Sequence, residues 1–119
     1  MRTLHVRIET MDAMRAGFLD AWENAAAGKP RTADHGVSFA SYDDMHRVLA
    51  PSRLAIVKIM AGQGPLAIRE VARRVGRDVQ AVHRDITTLI NAGIIDREEG
   101  GVVFPYDEID FAFKVSAAA

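Results

Sequence analysis

The chain predicts a mainly α-helical fold with a small amount of β structure, an α+β class, and three observations carry that prediction. Polar and apolar residues alternate strictly around Leu4, Val6 and Ile8. Apolar residues then recur at helical spacing through most of residues 11–92. A Gly100-Gly101 pair finally separates two short β-prone runs. The 119 residues suffice for one domain, or one domain with an appended element. Half the residues are apolar and a quarter charged, which is globular composition. The absence of cysteine excludes disulfides, thiolate metal sites and cysteine nucleophiles. No apolar run approaches the roughly 18 residues of a membrane span. The alternation of Met1 to Glu9 is unlike a signal peptide. The expectation is a cytoplasmic protein with no membrane contact.

Each element follows from local pattern. Leu4, Val6 and Ile8 alternate with His5, Arg7 and Glu9, the period of a half-buried strand. Met14, Phe18 and Trp22 lie at i, i+4, i+8, with Met11 and Ala25 on the same stripe, so a helix is expected over 11–27. Gly28 and Pro30 end it, and residues 28–36 read as a loop. Val37 and Phe39 suggest a second short strand. Ser41 caps a helix with Asp43 and Asp44 in its first turn, where the helix dipole favours acids. Pro51 stops that helix and sits at the first position of the next, where its missing N–H costs nothing. The helix from Pro51 runs to about Ala61 and turns Leu54, Val57 and Met60 inward.

A short helix is predicted over 67–75, closed by Gly76, with Ile68, Val71, Ala72 and Val75 as its face. Asp78 caps a longer helix to about Ala92, with Val79, Val82, Ile86, Leu89 and Ile90 inward. Gly93 stops it. Ile94 to Glu99 and Val102 to Phe104 form a hairpin around a two-glycine turn. Tyr106 to Val115 is compatible with strand or helix. Three helices, a tight Gly-containing turn before the third and a hairpin at once after it have the order of a winged helix-turn-helix. The division expected is 1–40, a strand-helix-strand dimerisation element; 41–106, the winged helix-turn-helix; and 107–119, a C-terminal segment.

Charge sharpens the reading. The net charge is −1, but it is unevenly spread. Residues 51–92 carry seven Lys or Arg and three acids, or +4, and residues 93–119 carry two and six, or −4. A basic block is a hint of an anionic partner. Projected at 100° per residue, the helix after Asp78 turns Arg77, Gln80, Ala81, Arg84, Thr88 and Asn91 outward. Thr87 lies beside them and His83 at the boundary. Arg suits guanine, Gln suits adenine, and Ala or Thr methyls suit thymine in a major groove. Arg69, Arg73 and Arg74 on the preceding helix suit phosphate contacts, which set register rather than sequence. A polar helix face is commonly just solvated. The helix order, the Gly76 turn, the acid-free face and the local +4 favour double-stranded DNA.

The stretch PSRLAIVKIMAGQGPLAIREVARRVGRDVQAVHRDITTLINAGIIDREEGG resembles the MarR-like winged-helix transcriptional regulators. Within them it is most similar to small single-domain regulators that accompany a toxin gene. The resemblance covers residues 51–106, most tellingly IREVARRVGRDVQAVHRDITTLINAGII and the VFPYDEI after the hairpin. It implies a dimeric repressor of its own operon and, within the toxin-linked group, an antitoxin that binds a partner toxin. It also implies Gln80, His83, Arg84 and Thr87 as the base-reading set and Arg97 with Gly100-Gly101 as the wing tip. Two positions depart from the pattern. Ala67 stands where a capping Ser or Thr is expected, and Asp96, Glu98 and Glu99 surround Arg97, so phosphate would repel the wing.

The remaining features point away from catalysis. His5, His35, His46 and His83 lack metal-ligand spacing. The acid groups Asp43-Asp44 and Asp107-Glu108-Asp110 are expected to have no nucleophile or base partner. No cofactor motif is present, because the GQGP glycines lack the strand and GK[ST] of a phosphate loop. Two short strands alone are marginal in water, so Leu4, Val6 and Ile8 with Met14, Phe18 and Trp22 are expected to assemble across a homodimer axis. The alternative expectation is a protein-interaction module whose N-terminal helix clamps a partner such as a toxin, with DNA binding secondary or absent.

Overall fold

The computed structural model describes residues 1–9 and 35–115, together with positions 19 and 117. The helix expected over 11–27, with Met14, Phe18 and Trp22, lies outside the described residues, apart from Leu19. So does most of the loop expected over 28–36.

Among the described residues nine elements follow in order: β1 (Thr3–Ile8), β2 (His35–Phe39), α1 (Tyr42–Val48), α2 (Pro51–Met60), α3 (Ile68–Val75), α4 (Val79–Asn91), β3 (Asp96–Glu98), β4 (Gly101–Val103) and β5 (Glu108–Ala112). The result mixes helices with two small sheets, an α+β arrangement. Among the described residues, no helix is long and apolar enough to cross a membrane.

The first sheet has the order β2-β1-β5, and both pairings are parallel. Val6 stands opposite Val37 on one side and Phe111 on the other. The segment left open between strand and helix is therefore a strand, and it docks on the strand that begins the chain. Alternation in β1 buries Leu4 and Val6 at 1% exposure. These two residues were expected to meet a second copy. They cannot, because their side chains lie in this chain's own core and both edges of β1 are taken by β2 and β5. Ile8 packs half-buried against the same core.

The helices start and stop for local reasons. Ser41 Oγ accepts from the Asp44 N–H at 3.1 Å and opens α1. Pro51 opens α2, and Ile56, Val57 and Met60 are its buried residues. Leu54, expected inward, is only half-buried. Ala67 precedes α3 and offers no side-chain cap. Gly76 closes α3 in the left-handed region at φ 70°, its N–H turned to the Ala72 and Arg73 carbonyls. Asp78 caps α4, accepting from the N–H groups of Gln80 and Ala81. Val82, Ile86 and Leu89 are buried beneath α4. Val79 is the exception to the projected stripe: at 44% exposure it faces solvent, because the first turn of α4 reaches past the core.

One core joins the ends of the chain to its middle. Leu4 and Val6 belong to the same buried cluster as Met45, Leu49, Ile56, Met60, Val71, Val82, Ile86, Ile94, Ile95 and Phe104. Segment 107–119 adds Ile109 and Phe111 to its margin.

The second sheet is the antiparallel pair β3-β4, with Arg97 opposite Val102 and Glu98 opposite Gly101. The turn is thus Glu99-Gly100 rather than the two glycines. Gly101 lies within β4 at φ 141°. A Cβ there would stand 2.1 Å from the Leu66 carbonyl oxygen. That closeness comes from a bridge between Leu66 and Val102, whose backbone groups exchange hydrogen bonds of 2.8 and 2.9 Å. The hairpin is thereby fastened to the residues that lead into α3.

Candidate nucleic-acid interface

The sequence reading concentrates on α3, α4 and the turn between them. Gly76 makes that turn sharp, and the Arg77 N–H continues it by donating to the Ala72 carbonyl at 3.1 Å. Val71, Ala72 and Val82 lie buried where the two helices pack. The faces of α3 and α4 turned from the core are left to the polar residues.

On α4 the exposed residues include Gln80, His83, Arg84 and Asn91. His83, placed at the boundary by projection, is exposed with them. Ala81, Thr87 and Thr88 are half-buried. The threonine hydroxyls are turned into the helix: Thr87 Oγ1 donates to the His83 carbonyl at 2.9 Å, and Thr88 Oγ1 to that of Arg84 at 3.2 Å. What they present outward is methyl surface and a spare acceptor. The side chains of Arg69 and Arg84 are exposed and make no hydrogen bond or ion pair with the described residues.

The other arginines of residues 51–92 are engaged. Glu70 accepts from Arg73 Nε at 2.9 Å and Nη2 at 2.5 Å, and from Arg74 Nε at 2.9 Å. These bonds, Arg73's first and then Arg74's, lower the Glu70 pKa from 4.5 to about 2. The same pairing raises that of Arg73. Arg73 keeps 71% of its side chain exposed, so it still offers charge outward. Arg77 donates through Nη1 to Asp85 Oδ2 at 2.8 Å, and Arg53 donates to Asp85 Oδ1 at 3.1 Å. Arg69, Arg73 and Arg77 line one cleft at the start of α4, with Ala67, Glu70, Ala72 and Val79.

A pattern emerges among the acids of residues 51–92. Glu70 is occupied by two arginines, Asp78 by two backbone N–H groups, and Asp85 by two arginines. Every carboxylate of the basic block is thus engaged within the protein. The spacing of Glu70 to Arg73 and Arg74, i+3 and i+4, makes the first set legible in sequence. The Arg77–Asp85 pair, eight residues apart, is not, because it depends on the turn before α4; nor is the Arg53–Asp85 pair, 32 residues apart, which depends on how α2 packs beside α4. Arg97 stands exposed on β3, flanked by the exposed Asp96, Glu98 and Glu99, so the hairpin tip is acidic as the sequence implied.

Comparison with known proteins adds the family. The sequence profile of the HVO_A0114 family matches residues 48–111, from the end of α1 to β5. The chain is 36% identical over 53 residues to the uncharacterized protein MJ1503 of Methanocaldococcus jannaschii, a match covering 40% of each chain. The chain therefore spans about two fifths of that relative's length. No solved structure matches. The profile covers more than half of the residues, including all of α2, α3, α4 and both hairpin strands, and the chain belongs to the HVO_A0114 family.

Proposed function

We propose that this protein is a winged helix-turn-helix transcriptional regulator that reads duplex DNA with α4. The observation that carries the reading is the internal engagement of every carboxylate between residues 51 and 92, while the side chains of Arg69 and Arg84 have no partner among the described residues and Gln80 and His83 are exposed. A solvated helix face needs no such arrangement, whereas a phosphate-facing surface does, since a free acid there would repel the duplex. Gln80, His83 and Arg84 read base edges in this proposal. Thr87, Thr88 and Ala81 add methyl contacts, and Arg69 and Arg73 meet phosphate.

The order of α2, α3, α4 and hairpin, with the left-handed Gly76 between α3 and α4, supports the winged-helix reading, as does the resemblance of residues 51–106 to MarR-like regulators. A homodimer would set two copies of α4 about 34 Å apart and select a palindromic operator. Its interface would lie outside Leu4 and Val6.

The test is fluorescence anisotropy with the DNA upstream of the gene and a scrambled duplex, titrated with salt. Tight, salt-sensitive binding to the upstream DNA alone is expected. Arg84→Ala is expected to cost about 1–3 kcal/mol and relax preference at one base pair. Equal weak binding of both duplexes, or none, would overturn the proposal and favour a protein partner instead.

A further inference from the structure

We infer that Asp85 is a positioning residue that sets specificity by withholding Arg77 from phosphate. The inference rests on the reading of α4 as the DNA-reading helix. Asp85 is the one carboxylate within α4, and its side chain is only 13% exposed. Its two oxygens take one guanidinium each, Arg53 at 3.1 Å and Arg77 at 2.8 Å. Arg53 is itself fastened by Nε to the Val48 carbonyl at 2.6 Å and by Nη2 to that of Arg47. One carboxylate therefore ties α4 to the α1–α2 junction and to the turn after α3. Charge-assisted bonds of this kind in a partly dry setting hold geometry better than surface pairs.

Arg77 occupies a place where its charge would otherwise matter. It lines the cleft at the start of α4 with Arg69 and Arg73, and a third of its side chain is exposed. Three guanidinium groups in one cleft would bind phosphate whatever the base sequence. With Arg77 drawn onto Asp85, the sequence-independent contribution is smaller and the exposed Gln80, His83 and Arg84 weigh more. Arg53, also on Asp85, is 19% exposed and stays structural.

The experiment compares the full-length parent with Asp85→Asn. Asn is nearly isosteric and keeps one acceptor oxygen. Anisotropy is read for the upstream and scrambled duplexes across salt, and elution from a heparin column reports freed cationic charge independently of DNA sequence. Asp85→Asn is expected to steepen the salt slope by about 0.9, the effect of one more phosphate neutralised. It is also expected to tighten binding to the scrambled duplex more than to the upstream one, and to elute later from heparin. Adding Arg77→Gln to Asp85→Asn should return the slope to the parent value. A slope that stays steep in the double variant would overturn the inference, because the added charge would then act without Arg77. An unchanged slope with both duplexes weakened alike would also overturn it, since the pair would only brace the fold. Should Asp85→Asn unfold, Asp85→Glu keeps the charge and must keep the parent slope; a steeper one counts against the inference. If the parent binds neither duplex, the DNA reading falls and the specificity role falls with it. A later heparin elution in that case would separate this failure from a failure of the Asp85–Arg77 hold.

Discussion

Gly101 tolerates no side chain. A Cβ would meet the Leu66 carbonyl oxygen at 2.1 Å, and its φ of 141° suits only glycine. Gly101→Ala is expected to destabilise the fold by more than about 1 kcal/mol, seen as a lowered urea midpoint at unchanged slope. Asp78 is the counterpart at the start of α4. It satisfies two N–H groups, so Asp78→Ala should cost about 0.5–2 kcal/mol in the same measurement. Ile86 is fully buried beneath α4, and Ile86→Ala should cost about 2–5 kcal/mol. A loss under 1 kcal/mol at Ile86 would mean that α4 is not held on the core as described.

At the scale of elements, α3 carries a pH dependence. Glu70 has a folded pKa of about 2 against an ordinary 4.5, because Arg73 and Arg74 donate to its carboxylate. A depressed carboxylate contributes stability above its unfolded pKa and loses it as pH falls toward the folded one. The stability difference between the parent and Glu70→Gln is therefore expected at pH 7, shrinking between about pH 4.5 and 2. A difference that is constant over this window would remove the assigned role of the pair. Elements whose residues repeat on one face were legible from sequence: α1 by Ser41, α2 by Pro51, α3 by Gly76 and α4 by Asp78. What sequence could not reach was pairing between distant parts. Nothing local in Glu108 to Ala112 says that it joins β1, and Leu4 and Val6 read equally well as the face of a dimer. The hairpin turn was misplaced by one residue because two glycines in a row fit either position. Within the candidate site, projection separated the exposed Gln80 and Arg84 from buried Val82 and Ile86, but it could not see the two arginines on Asp85.

At the scale of the whole molecule, β1 and β5 join in one sheet although about a hundred residues separate them. β1 stands between β2 and β5, the Arg2 N–H donates to Asp107, and Thr3 Oγ1 donates to Glu108, each across 105 residues. Removing residues 107–119 would strip one edge of β1 and uncover Ile109 and Phe111's share of the core margin. That deletion is expected to lower stability and to promote association in light scattering, since an open edge templates pairing with another chain. A monomeric deletion variant as stable as the parent would show that β5 contributes little. The pairing of β1 with β5 also has a consequence in time. β1 leaves the ribosome about a hundred residues before β5, so during synthesis at about 5–20 residues per second it waits several seconds for its second neighbour. The helices between them depend on nearer contacts and can assemble within that delay. The parallel sheet is then complete only once β5 arrives, after the helices between the two strands have formed.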